Sequence, residues 1–193
     1  MKIRHKSKKK EREVNQLKKV IINVILVIVL FFIYFLQSNF FNWFTISGIM
    51  PNLFVIFVLF IGLFTNRVSG VIYGVITGII IDLVMGKQIG INAVGYGIVG
   101  FLAATFDKNF SKDSRATIMF MVLGSTIIFE VITYLLNYIF ASSNIEIIYF
   151  IKTLAIEVIY NLIITIIIYP ILQKFGYNIE NEYKGNRVLT RYF

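Results

Sequence analysis

Three acids, Asp82, Glu130 and Glu157, sit inside long apolar runs of this 193-residue chain. An ionisable side chain in a membrane span costs at least about 2.5 kcal/mol unless it finds a partner or loses its charge. Such acids can serve as general acids, as hydrogen-bonded glue between helices, or as the lining of a polar cavity that receives a partner or small molecule. Acid catalysis would need company, and neither a nucleophile nor a metal motif accompanies them. The single histidine, His5, lies in a basic segment, and there is no cysteine, so His/Cys metal ligation and disulfides are both excluded. The glycines lack the Gly-Lys-Ser/Thr of a phosphate loop. The expectation is a protein without catalysis, metal or cofactor.

Glycine spacing is the second signal. Gly70, Gly74 and Gly78 recur every fourth residue, Asp82 takes the next place, and Gly86 and Gly90 continue the interval. Residues four apart share a helix face, so the first three glycines form a groove that another backbone can approach closely. A second small-residue set follows at Ala93, Gly95, Gly97, Gly100 and Ala104. Both sets fit packing within the chain first, and a docking face for another membrane protein is the alternative.

The elements that carry these residues are apolar blocks. Hydrophobic residues make up 58% of the chain and charged residues 15%, with a mean hydropathy of +0.78. Only a bilayer accepts that balance. Hydropathy predicts an all-α integral membrane protein with six transmembrane helices: Val20–Leu36, Pro51–Phe64, Gly70–Met85, Ile89–Phe106, Ala116–Phe140 and Ile151–Leu172. Pro51 suits a first helical turn, where its missing N–H needs no partner. Pro170 is expected near the end of the sixth span. Trp43, in the Phe-rich loop Gln37–Met50, reads as an interfacial aromatic. The organisation is then residues 1–19 as a basic cytoplasmic tail, 20–173 as the membrane domain and 174–193 as a cytoplasmic C-terminal tail. At 1.5 Å per residue, all three acids fall at about one depth, in the outer half of the membrane. Acids brought together there cannot all ionise, and Thr126, Tyr134 and Asn161 are available to satisfy them.

Charge fixes the expected orientation. Nine of the 19 Lys and Arg residues lie in Met1–Lys19. With that end inside, seventeen fall on the cytoplasmic side and only Lys87 and Lys152 outside, so both termini are expected in the cytoplasm. A basic run beside a span attracts anionic lipid at about 1 kcal/mol per residue, and the formal net charge of +9 is read that way rather than as nucleic-acid binding. The first apolar run is long for a signal peptide, and no A-x-A-like site follows it.

The second to fourth spans resemble the rod shape-determining protein MreD family. The resemblance rests on Pro51-Asn52-Leu53, the basic turn at Arg67, and the series Gly70, Gly74, Gly78, Asp82, Gly86. It continues through Gly90-Ile91-Asn92-Ala93 and the helix with Tyr96 and Gly100. It implies a non-enzymatic, multi-pass protein of the bacterial plasma membrane. Such a protein would work with MreC, the actin-like MreB, the glycosyltransferase RodA and a class B transpeptidase in side-wall peptidoglycan synthesis. By position, Pro51, Gly70, Gly74, Gly78, Asp82, Gly86, Gly90, Asn92 and Gly100 would serve helix packing or partner contact.

The family is similar in helix layout to the substrate-binding S components of energy-coupling-factor transporters, which supplies the rival reading of a vitamin-transporter subunit. S components dock their energising partner through small residues on the first helix. Val20–Leu36 contains no Ala, Gly or Ser.

Overall fold

The computed structural model describes residues 2–85, 88–109, 114–141 and 146–184. Among them are six α-helices: α1 (Lys2–Phe35), α2 (Leu53–Phe64), α3 (Arg67–Met85), α4 (Ile91–Asn109), α5 (Arg115–Ala141) and α6 (Ile147–Lys184). Four segments are long and apolar enough to cross a membrane, Gln16–Trp43, Arg67–Met85, Arg115–Phe140 and Ile147–Tyr183. Leu53–Phe64 and Ile91–Asp107 are apolar but shorter.

The short α2 is the axis of the bundle. All twelve of its residues are buried, and it touches every other helix. Around it pack Leu26 and Leu30 of α1, Ile81 of α3, Val99 and Ala103 of α4, Ile118 and Val122 of α5, and Tyr169 of α6. Lipid tails are as apolar as these side chains, so their burial gains little from the hydrophobic effect; close packing and interhelical hydrogen bonds hold such a bundle. α1 stands at the rim. Val20, Val24, Ile28, Phe31 and Phe35 all leave it exposed.

Several element boundaries differ from the hydropathy reading. α1 runs unbroken from Lys2 through the basic segment, whose Lys, Arg, Glu and Gln are good helix formers. After α1 come a π turn at Leu36–Phe40 and a 3₁₀ turn at Phe41–Trp43. A tight reversal follows, in which Ile46 and Ile49 exchange two hydrogen bonds of 3.0 Å around Ser47 and Gly48. Both central residues have positive φ, 54° and 77°, as a type I′ turn demands.

Pro51 does not open α2: the helix starts at Leu53 and Asn52 caps it, accepting the Val55 N–H at 3.2 Å. A capping side chain satisfies an orphan donor, which proline cannot do. Likewise α4 begins at Ile91 rather than Ile89, because Gly90 at φ +112° lies outside helical geometry. Pro170 lies inside α6 rather than near its end. Beyond it the helix is anchored by other elements. Gly176 lets α6 meet the Phe64 ring, where a Cβ would lie 2.3 Å from Cε2, and Tyr177 packs edge-on to Phe64 at 5.5 Å. Lys18 of α1 pairs with Glu182 at 2.9 Å.

Candidate functional site: a polar layer at the start of two short helices

At about 1.5 Å per residue, α2 spans roughly 18 Å, well short of a hydrocarbon core of about 30 Å. Pro51 and Leu53 at its N-terminus are buried, and the protein must satisfy the polar groups there. Four side chains do so. Gln37 donates to the Pro51 carbonyl at 2.6 Å and accepts the Leu53 N–H at 3.1 Å. Asn161 of α6 accepts the Asn52 N–H at 2.8 Å, and Asn52 itself takes the Val55 N–H. Tyr96 of α4 donates to the Asn52 side chain at 3.1 Å. Asn52 is the hub of this layer.

α4 repeats the device with an acid. Asp82 of α3 is wholly buried, and both of its oxygens accept hydrogen bonds from the start of α4. Oδ2 accepts from Gly90 N–H at 2.7 Å and Ala93 N–H at 3.4 Å. Oδ1 accepts from the Asn92 backbone at 3.2 Å and its side-chain amide at 2.8 Å. A helix N-terminus carries orphan donors and partial positive charge, and a carboxylate answers both.

The other two acids meet each other. Glu157 of α6 is 6% exposed; its carboxyl lies against that of Glu130 of α5 and against the Asn52 side chain. Tyr96, 2% exposed, is within electrostatic reach of Glu157, Glu130 and Asp82. Its ring stacks on Phe129 at 4.3 Å. The three acids do not form one cluster. Asp82 is engaged by backbone, and only Glu130 and Glu157 face each other. Of the polar neighbours expected to serve them, Asn161 donates instead to Thr126 at 3.0 Å, and the Tyr134 hydroxyl has no hydrogen-bond partner.

The glycines bring the backbones together. A Cβ at Gly70 would lie 2.6 Å from the Gly100 carbonyl oxygen, at Gly74 2.2 Å from that of Tyr96, and at Gly78 2.3 Å from the Ala93 Cα. Gly100 answers from α4, where a Cβ would meet the Gly70 carbonyl oxygen at 2.1 Å. The groove on α3 is therefore filled by α4. On other faces of α4, Gly95 faces Phe129, and Ala103 sits where a Cβ on Gly62 of α2 would fall. Gly90 and Asn92 supply donors to Asp82, Pro51 lies buried beneath Gln37, and Gly86 lies outside the described residues.

Gln37, Asn52, Tyr96 and Asn161 are the members of this layer that periodicity did not single out as site residues. Asn52 had a local signal, a capping residue directly before an apolar run. Among the described residues, no three His, Cys, Asp or Glu side chains group to hold a metal ion. Near the start of the first apolar run, Asn23 of α1 accepts hydrogen bonds from Tyr73 of α3, at 2.8 Å, and from Tyr183 of α6, with Lys19 over the Tyr183 ring.

Comparison with known proteins agrees with the residue pattern. The family model described as rod shape-determining protein MreD matches residues 18–178, from just before the first apolar run into the last turns of α6. No curated protein and no solved structure matches the chain. With four helices fit to cross a membrane and a family match over most of its length, the chain belongs to the MreD family, and with it has a role in rod shape determination.

Proposed function

We propose that this protein is a non-enzymatic, multi-pass scaffold of the bacterial plasma membrane that organises side-wall peptidoglycan synthesis. In this reading all six helices cross the bilayer and both termini face the cytoplasm, as the seventeen-to-two distribution of Lys and Arg favours. The partners are an MreC-like protein and other members of the elongation machinery: MreB, RodA and a class B transpeptidase. The basic helical segment before Val20 rests on anionic lipid.

The observation that carries the proposal is how the conspicuous residues are used. The α3 glycines, Asp82, Asn52 and Asn161 all have partners within the chain. A scaffold needs this internal rigidity and has no turnover to perform. Depletion in the native cell should make rods round up and misplace side-wall synthesis. Retention of rod shape would overturn the reading.

The S-component alternative is favoured by one observation, the unpartnered Glu157 Oε1 in a buried polar layer. A water-soluble vitamin that raises the thermal stability of the purified protein, with the effect abolished in Glu157→Gln, would select it. The scaffold reading expects no stabilisation by vitamins.

A further inference from the structure

The α5–α6 seam carries polar side chains at three successive turns. On α5 these are Thr126, Glu130 and Tyr134, four residues apart; on α6 they are Asn161, Glu157 and Thr153, also four apart. Residues at that interval share a helix face, and the two helices run antiparallel, so the pairs form three levels. The lowest level is closed by the bond from Asn161 to Thr126. The middle level is the Glu130–Glu157 carboxyl contact. At the upper level neither the Tyr134 hydroxyl nor the Thr153 hydroxyl has a hydrogen-bond partner, and Glu157 Oε1 just below has none either. Tyr134 stacks against Phe150 at 4.3 Å, close to the α5–α6 connection.

We propose that Glu130 and Glu157 form a binding site for one proton, held between the two carboxyls and exchanged through the Tyr134–Thr153 level toward the α5–α6 connection. Two carboxylates in contact inside an apolar bundle repel each other, and one proton between them turns repulsion into a hydrogen bond. The charge that remains faces the N-terminus of α2 through Asn52. The groups around the pair are Asn52 before α2, Tyr96 on α4 and, beyond Tyr96, Asp82 on α3. Asp82 is already bonded to four N–H donors. Lys152, the nearest basic residue along α6, is exposed. Glu157 Oε1 and the Thr153 and Tyr134 hydroxyls, buried and without partners, follow one another along the seam, and that line of oxygens gives the proton its path. This site goes beyond the scaffold role and depends only on the α5–α6 geometry.

The test is infrared spectroscopy of the full-length protein in lipid nanodiscs at neutral pH, each sample checked for monodispersity. A protonated-carboxyl C=O band should be present in the wild type, shifted in each of Glu130→Gln and Glu157→Gln, where the carboxyl has lost its partner, and absent from the Glu130→Gln/Glu157→Gln double variant. The band should shift in D2O, and the shift should slow several-fold in Tyr134→Phe/Thr153→Val. Absence of the band in the wild type would overturn the proposal whatever the variants do. Its persistence in the Glu130→Gln/Glu157→Gln double variant would assign it to another acid. Loss of the band on adding sodium at constant pH would replace the proton with a metal cation. An unchanged exchange rate in Tyr134→Phe/Thr153→Val would remove the proposed path.

Discussion

Asp82 on α3 accepts the backbone N–H of Gly90 at 2.7 Å, and that contact closes the N-terminus of α4 from a neighbouring helix. The acid and the glycine lie eight residues apart, on either side of the α3–α4 turn. Together with the close approach of Gly74 and Gly78 to α4, the bond makes α3 and α4 one rigid hairpin. Asn52 plays the corresponding part for α2, so both short helices start from a satisfied polar layer.

Replacing Asp82 should be damaging even when the shape is kept. An asparagine retains one acceptor oxygen but turns an NH2 toward two backbone N–H donors. Asp82→Asn should therefore cost about 1–3 kcal/mol and fall close to Asp82→Ala. Thermal unfolding followed by size-exclusion chromatography in detergent reads the difference. A near-wild-type Asp82→Asn would remove the capping argument.

Two glycine substitutions should behave oppositely. Gly74→Ala drives a methyl to 2.2 Å from the Tyr96 carbonyl oxygen, backbone that cannot give way, and should cost about 1–3 kcal/mol or more. Gly124 on α5 has nothing within 4 Å of the added Cβ, so Gly124→Ala should be neutral, or stabilising by up to about 1 kcal/mol. Equal tolerance of the two would contradict the α3–α4 contact.

The hub at Asn52 gives a graded expectation. Asn52→Ala removes the α2 cap and the acceptor for Tyr96 together, and should cost about 1–2 kcal/mol for the cap alone. Asn52→Ser can still cap Val55 but is too short to hold Tyr96 in the same way, so it should recover only part of the loss. Full recovery with serine would mean that the Tyr96 link contributes nothing.

Much of this architecture is legible in the residues. The interval Gly70, Gly74, Gly78 identifies the close helix face because it is local and periodic, and the three acids mark the polar layer because each stands alone in an apolar run. The hub is different. Its bonds join residues 109 apart, as between Asn52 and Asn161, or 44 apart, as between Asn52 and Tyr96, and no period links such positions. Gln37 reads as a loop residue because the π turn that aims it at Pro51 has no sequence signature. Nor does Pro170 announce that α6 continues, since the roughly four turns beyond it are held by Phe64 and Lys18 from distant helices. Hydropathy likewise gives the same weight to α1 at the rim and α2 at the axis; only contacts separate them.

The topology follows from charge and is checked by labelling. Single cysteines at Ser38, Gln88 and Ser143 should react with an impermeant maleimide in intact cells, whereas Asn66, Ser111 and Asn186 should react only after lysis. External labelling at Asn186 would overturn the arrangement with all six helices crossing the membrane.

The central claim is a structural role in rod shape, and depletion followed by complementation tests it most directly. Cells losing the protein should round up, with new wall material no longer confined to the side wall. The wild-type gene and Gly124→Ala should restore rods, while Gly74→Leu should not. Rods that persist through full depletion, in cells whose growth then depends on an added vitamin, would contradict the account.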